Sequence, residues 1–199
     1  MKRFFDIVFS AFGMVLLSPL FMAAALFIKL DSKGPVFYRQ ERIGKDFKPF
    51  RIYKFRTMTA DLQGGPQITT GGDRRITRAG KILRKYKIDE LPQLLNVFRG
   101  DMSFVGPRPE VKKYVDIFRA DYAELLAVRP GITDPASVRY SKEEELLPQS
   151  DNWEDVYITR ILPEKIGLSL NYARSHSLFT DLKLIVRTVL KVFHLPVLI

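Results

Sequence analysis

Read from the amino terminus, the chain opens with a long uncharged stretch, Ile7 to Ile28 (IVFSAFGMVLLSPLFMAAALFI), 22 residues in all. At roughly 1.5 Å per residue, a helix of that length reaches across a hydrocarbon core of about 30 Å. Ser18-Pro19 interrupts its middle. Proline deletes a backbone hydrogen bond and crowds the preceding turn, while the serine hydroxyl can satisfy a freed carbonyl, so a sharp kink is predicted there. Two arrangements fit: a kinked span, or a re-entrant hairpin whose arms each dip about one leaflet deep. Lys2 and Arg3 precede the stretch, and Lys29, Lys33, Arg39, Arg42, Lys45 and Lys48 follow it. Basic flanks favour the cytoplasmic side, and a hairpin satisfies both flanks at once. A cleaved signal peptide fits poorly, because the apolar run is too long and no small-residue cleavage site precedes the basic stretch.

After Asp31 the pattern turns polar. Gly34-Pro35 signals a turn, Val36–Arg39 a short strand, and the aromatic, branched run Lys48–Met58 an extended segment. Alternation within it would put Lys54 and Arg56 on one face, as a solvated basic edge or as a ligand contact. Gly64-Gly65 and Gly71-Gly72 bracket a polar loop, but no phosphate loop results. Ile82 follows Gly80-Lys81 where Ser or Thr is needed, and Arg75 stands where the earlier glycine belongs. From Arg74 to Tyr86, Ile76, Ala79, Leu83 and Tyr86 recur at helical spacing between basic residues, predicting a helix that lies on a membrane interface or packs on the domain. A break follows at Ile88–Pro92, then a second short helix, Gln93–Phe98, ending at Gly100. Leu178–Ile199 is basic, strongly apolar and too interrupted by charge to span, which suits an interfacial helix. The expected architecture is a helix-rich, mixed α/β fold with short strands: residues 1–30 in the membrane, residues 31–199 a single domain with interfacial helices.

Composition narrows the chemistry. A chain of 199 residues suits one domain plus a membrane anchor. It has no cysteine, which excludes disulfides, thiolate metal sites and a cysteine nucleophile. With His176 and His194 as the only histidines, any metal is expected to be a hard cation held by carboxylates and phosphate oxygens. The net charge of +10 is unevenly placed: residues 1–100 carry 19 Lys/Arg against 8 Asp/Glu, residues 101–199 carry 13 against 14. Basic residues beside an apolar stretch suit an anionic membrane surface, at about 1 kcal/mol each near the headgroups, and equally a polyphosphate ligand. No nucleic-acid-binding motif accompanies the charge, so nucleic acid is not an expected partner.

Two stretches could carry chemistry. Asp89-Glu90-Leu91-Pro92 reads as an ordinary helix start, with an acid at the cap and proline in the first turn. The same geometry offers free N–H groups and partial positive charge to a carboxylate and a phosphate together. Two adjacent acids can divide attack from metal or proton handling. In Ser103-Phe104-Val105-Gly106-Pro107-Arg108-Pro109-Glu110, prolines stiffen the backbone on both sides of Arg108, whose guanidinium suits bidentate phosphate contacts. Arg129-Pro130-Gly131 is a weaker version of that signal.

Taken in order, KFRTM (54–58), LRKYKIDELPQLLNV (83–97), GDMSFVGPRP (100–109) and RPGIT (129–133) closely resemble the bacterial sugar transferase family, the monotopic phosphoglycosyl transferases that begin surface-glycan, exopolysaccharide and glycoprotein-oligosaccharide assembly. The resemblance runs from the FDIVFS…LLSPL segment to about residue 190, and the chain looks like the minimal form. It implies a re-entrant helix kinked at Ser18 and Pro19, with both ends at the cytoplasmic leaflet of the bacterial inner membrane. It implies transfer of a sugar-1-phosphate from a UDP-sugar to undecaprenyl phosphate, with UMP released. Asp89 matches the attacking aspartate that carries the phospho-sugar, and Glu90 its partner acid, the two being associated with Mg²⁺. Lys54, Arg56, Arg84 and Arg108 fall at basic positions of the motifs and are expected to contact phosphate, with Arg129 and Asp181 as weaker candidates. Exposed apolar surface is compatible with a homodimer.

The sequence departs from the family pattern after RPGIT, where a Gly-aromatic-Ala-Gln stretch is usual and Asp134-Pro135-Ala136-Ser137 stands instead. The expectation is a difference near the sugar or nucleotide pocket. The acidic run Glu143-Glu144-Glu145 is also unusual and reads as a solvated surface. Three rival readings are a non-catalytic membrane-anchored binding module, a membrane-tethered nucleic-acid binder, and a transferase that releases UDP.

Overall fold

A computed structural model describes residues 1–59, 73–141, 143–147, 152–193 and 195. The Gly64-Gly65 and Gly71-Gly72 loop, His194 and the end of the carboxy-terminal segment lie outside the described residues. Helices α1 (Lys2–Leu16) and α2 (Ser18–Asp31) meet at a bend of 59°. Its cause is local: Pro19 lies in the first turn of α2, and the Ser18 hydroxyl donates to the Val15 carbonyl at 2.8 Å. Among the described residues no single helix is long and apolar enough to cross a membrane, whereas the bent pair passes that test together.

The arms end in protein, and their apolar bend does not. Lys2 donates to the Val105 carbonyl at 2.9 Å, and Arg3 reaches the Val97 and Phe98 carbonyls. Ala24 and Ile28 on α2 share a buried cluster with Phe55 and Leu83. Between these anchors Phe12, Val15, Leu16, Leu20 and Met22 are exposed. The last turns of α2 therefore belong to the core of the domain expected to begin at residue 31.

Strands β1 (Phe37–Ile43) and β2 (Pro49–Phe55) pair antiparallel, with Tyr38 opposite Lys54. The first predicted strand is thus longer than Val36–Arg39. The second stops at Phe55, and that ending has a consequence for Arg56 described below. Helix α3 (Arg78–Lys85) begins at the Thr77 cap, later than expected, because Ile76 is held in a bridge with Met58. A Cβ on Gly80 would lie 2.1 Å from the Thr57 carbonyl oxygen, so this glycine lets α3 press against the chain after β2. A tight turn over Ile88–Gln93 leads into α4 (Leu94–Arg99), as anticipated.

Strand β3 (Ser103–Val105) is followed by short helices α5 (Lys112–Ile117) and α6 (Arg119–Leu125), then by β4 (Gly131–Thr133), which pairs parallel with β3. Helices α7 (Pro135–Arg139), α8 (Glu143–Leu146) and α9 (Trp153–Val156) lead through a π turn at Tyr157–Ile161 into α10 (Leu162–Ser175) and α11 (Leu178–Val192). The largest apolar cluster joins Ile43, Val111, Tyr114, Tyr122, Leu125, Tyr157 and Leu162 across these helices. Among the described residues the outcome is a helix-rich mixed α/β fold with two small sheets.

Candidate active site

Three separate segments bring the chemistry together: β2 carries Lys54, the turn after α3 carries Asp89 and Glu90, and the stretch after β3 carries Arg108. Each is held by a local device. Lys87 takes a left-handed conformation (φ 53°), reversing the chain after α3 so that the acidic turn faces back on β2. Gly100, at φ 96°, caps α4 and donates to the Asn96 carbonyl at 3.0 Å. Asn96 itself is fully buried. Its Oδ1 accepts from the Tyr53 N–H at 3.0 Å and its Nδ2 donates to the Arg51 carbonyl at 2.8 Å. One side chain thus pairs with β2 on the edge away from β1 and fixes α4, with the acidic turn, against the strand of Lys54. In the sequence, Asn96 is marked only as a lone amide inside the apolar helix LLNVF.

The two glycine-proline motifs lie side by side. Ser103 pairs with Gly131 and Val105 with Thr133, and the Gly131 N–H donates to the Pro107 carbonyl at 3.0 Å. A Cβ on Gly131 would sit 2.0 Å from the Gly106 nitrogen, so that close approach requires glycine. Beyond Arg108, Glu110 anchors the segment by accepting from the Tyr157 hydroxyl at 2.9 Å and from Arg42 at 3.2 Å.

At the centre, Glu90 Oε1 accepts from Lys54 Nζ at 3.0 Å and from Arg108 Nη2 at 2.5 Å, while its Oε2 accepts from Arg108 Nη1 at 3.3 Å. Burial alone would raise the Glu90 pKa, but Arg108 and Lys54 reverse that and hold it well below the usual carboxylate range. Burial also pulls Lys54 below the ordinary lysine range, against the attraction of Glu90. Asp89 is the opposite case. It is buried, and its Oδ1 has no hydrogen-bond partner among the described residues. Burial first, and then the neighbouring charge of Glu90, push its pKa up to about 6. Adjacent carboxylates thus have separate characters: Glu90 is a fixed, paired anion, and Asp89 is a more basic carboxyl with one oxygen left without a partner.

Both acids are hard oxygen donors, and the orphaned Asp89 Oδ1 is an open coordination position. No group of three or more metal-ligating side chains occurs among the described residues. Carboxylate oxygens are the donors a hard divalent cation takes; here those of Glu90 are already held by Lys54 and Arg108, and Asp89 Oδ1 is the one left without a partner among the described residues.

Of the other expected site residues, Arg84 donates from Nε to the Thr57 hydroxyl at 3.0 Å and its charge draws on Asp89, so it lies beside the acidic turn. Arg56 does not join. Its guanidinium is buried and donates to the carbonyls of Pro35, Lys33 and Ser32 at 2.7, 2.5 and 2.8 Å. The shared face expected for Lys54 and Arg56 fails because β2 ends at Phe55 and strand alternation ends with it. Arg129 is directed elsewhere, donating to the Gly100 carbonyl at 3.0 Å. Asp181 is consumed by Lys2 at 2.7 Å and the Tyr172 hydroxyl at 2.5 Å. Asp134, expected near a sugar pocket, is fully buried, caps α7 through the Ser137 N–H at 2.7 Å and accepts from Ser169 at 2.6 Å. The cavity it borders beside Arg108 is about 20 Å³, room for one water and too small for a sugar. Glu143 is no simple solvated acid, since it pairs with the buried Lys165 at 2.9 Å.

A family model described as "Bacterial sugar transferase" matches residues 1–195. The chain is 42% identical over 192 residues to the UDP-N-acetylgalactosamine-undecaprenyl-phosphate N-acetylgalactosaminephosphotransferase of Aeromonas hydrophila, covering 94% of this chain and 42% of that protein. It is 43% identical over 193 residues to the UDP-glucose:undecaprenyl-phosphate glucose-1-phosphate transferase of Caulobacter vibrioides, covering 94% of this chain and 68% of that protein. It is 38% identical over 198 residues to the exopolysaccharide production protein PSS of Rhizobium leguminosarum bv. phaseoli, covering 95% of this chain and 93% of that protein. Because the family match takes in the bent helix pair as well as the acidic turn and both glycine-proline motifs, the chain belongs to the bacterial sugar transferase family.

Proposed function

We propose that the protein transfers a sugar-1-phosphate from a UDP-sugar to undecaprenyl phosphate and releases UMP, with Asp89 as nucleophile. The supporting observation is the buried, unpartnered Asp89 Oδ1 beside a Glu90 neutralised by Lys54 and Arg108. At pH 7 a group titrating near 6 is about nine-tenths ionised, so most molecules carry the attacking anion.

An Asp89 carboxylate oxygen bonds to the β-phosphorus of the donor, and the bridging oxygen leaves toward the α-phosphate with the electron pair, forming UMP. The acceptor phosphate oxygen then attacks the same phosphorus, the bond to Asp89 breaks, and its carboxylate is restored. Repulsion between the carboxylate and an anionic diphosphate is the first obstacle. Lys54, Arg84 and Arg108 offset it and stabilise charge on the transferring phosphoryl oxygens. Glu90 keeps the first and last of these cations in place while the two substrates exchange. Asp89 and Glu90 would hold Mg²⁺ together with substrate phosphate, and the ion would supply further neutralisation of the diphosphate.

The bent helix pair is read as re-entrant in the cytoplasmic leaflet, with its exposed apolar bend in lipid and both arms anchored on the domain. This places the site at the headgroup depth of the acceptor. The test is UMP against UDP release from a panel of UDP-sugars with undecaprenyl phosphate and Mg²⁺. UMP from the wild type and none from folded Asp89→Asn is expected; UDP would overturn the mechanism.

A further inference from the structure

Helices α7, α10 and α11 border an open cleft of about 300 Å³, lined among others by Pro135, Tyr172, Ser175, Thr180, Lys183 and Arg187. Lys54, Asp89, Glu90 and Arg108 do not line it. Its two cations stand one turn apart on α11. Neither forms an ion pair among the described residues, and the buried Nε of Arg187 has no hydrogen-bond partner there. The acid nearest in sequence, Asp181, is already held by Lys2 and Tyr172.

The placement of these cations on α11 indicates what they face. Phe179, Leu182, Val186 and Val189 fall on one stripe of the helix and are all exposed, while Asp181 and Leu184 turn inward. At 100° per residue, Lys183 and Arg187 fall between the two faces. Cations flanking an outward apolar stripe are the pattern of a helix lying in a membrane interface, where their stems follow lipid and their heads reach phosphate. A partly apolar cleft at that border, with two unpaired cations, suits a phosphodiester carrying acyl chains.

We propose that this cleft binds the headgroup of an anionic glycerophospholipid such as phosphatidylglycerol. The inference rests on the membrane reading given above but assigns a separate site. The acceptor's phosphate belongs at Asp89, which this cleft does not reach. A lipid bound here ties α11 to α10 and α7. Through Tyr172 and Asp181 it also supports Lys2, at the start of α1.

The test is native mass spectrometry of the full chain in detergent, titrated with phosphatidylglycerol, phosphatidylcholine or undecaprenyl phosphate. Wild type is expected to retain one phosphatidylglycerol in preference to phosphatidylcholine. Each of Lys183→Gln and Arg187→Gln should weaken this about five-fold, and the pair roughly thirty-fold. Ser175→Phe, which fills the cleft and leaves its charge unchanged, should also displace the lipid, so a double variant that misfolds does not decide the question. Lys81→Gln, which removes an exposed charge on α3, should change nothing. Equal retention of the two phospholipids, equal loss in Lys81→Gln, or undecaprenyl phosphate competing on equal terms would each overturn the proposal. UMP release is read in parallel: turnover without lipid preference removes this site alone, and lipid preference without UMP removes the proposed reaction alone.

Discussion

Replacing Glu90 with glutamine removes one negative charge next to Asp89 and leaves Lys54 and Arg108 without their shared partner. Asp89 stands near 6 because of burial and then because of Glu90, against the pull of Lys54, Lys87 and Arg84. For adjacent carboxylates taken as roughly 6 Å apart in an effective dielectric of about 20, the repulsion is about 2.8 kcal/mol, or roughly 2 pKa units. The released cations add to the shift. The sign follows from the chemistry: Asp89 attacks as the anion, so wild-type activity should fall as pH drops through about 6. In Glu90→Gln that acid limb should move down to near 4, with a lower plateau because a less basic carboxylate attacks more slowly. The assay is single-turnover UMP release without acceptor, followed from acid to neutral pH. A limb that stays near 6 in the variant would refute the idea that Glu90 sets the basicity of Asp89. Leaving two half-buried cations without their shared partner should also cost stability, on the order of 1–3 kcal/mol, seen as a lower melting temperature.

Asp89→Asn should abolish UMP release yet stabilise the fold above pH 6. A carboxyl raised from 3.8 to about 6 favours the folded state fully below its unfolded pKa and loses that contribution as pH rises through about 6, and the roughly 3 kcal/mol it costs once ionised disappears with the charge. Melting curves should show the gain at pH 8 and none at pH 3.5; equal stability at pH 8 would contradict the burial argument. Arg56→Ala should lose about 3 kcal/mol or more of stability by stranding three carbonyls, and Arg56→Lys should not restore it, because one ammonium cannot reproduce the fork. Chemical denaturation measures both, and a KM for the UDP-sugar raised in a fully stable variant would return Arg56 to the site. Gly131→Ala should depress turnover while leaving membrane binding intact, since a methyl group there strikes the Gly106 backbone and displaces Arg108; normal turnover would show that the paired motifs do not position that arginine.

The features legible in the sequence are those whose causes lie within a few residues. The Ser-Pro break, the acidic turn ahead of α4 and its Gly100 cap each follow from short-range geometry, and each stands where the pattern placed it. Residues 110–177 show no single dominant period, because their helices are short and their apolar residues serve several neighbours at once. The motif order carried the family, and within those motifs residue type alone could not separate a ligand contact from a structural anchor.

Lys54 and Arg56 illustrate the limit. Two residues apart and alike in charge, they differ in role because β2 ends between them. Lys54 is drawn to Glu90, 36 residues away, while Arg56 turns back to the carbonyls at the end of α2. Asp181 and Arg129 were likewise claimed by Lys2 and by the Gly100 carbonyl. The sequence by itself determined which groups were available, where the chain had to break and how charge was spread along it. Only the tertiary structure decided which acid was paired and which was left open, because ion pairing and burial depend on segments that meet through packing and are far apart along the chain.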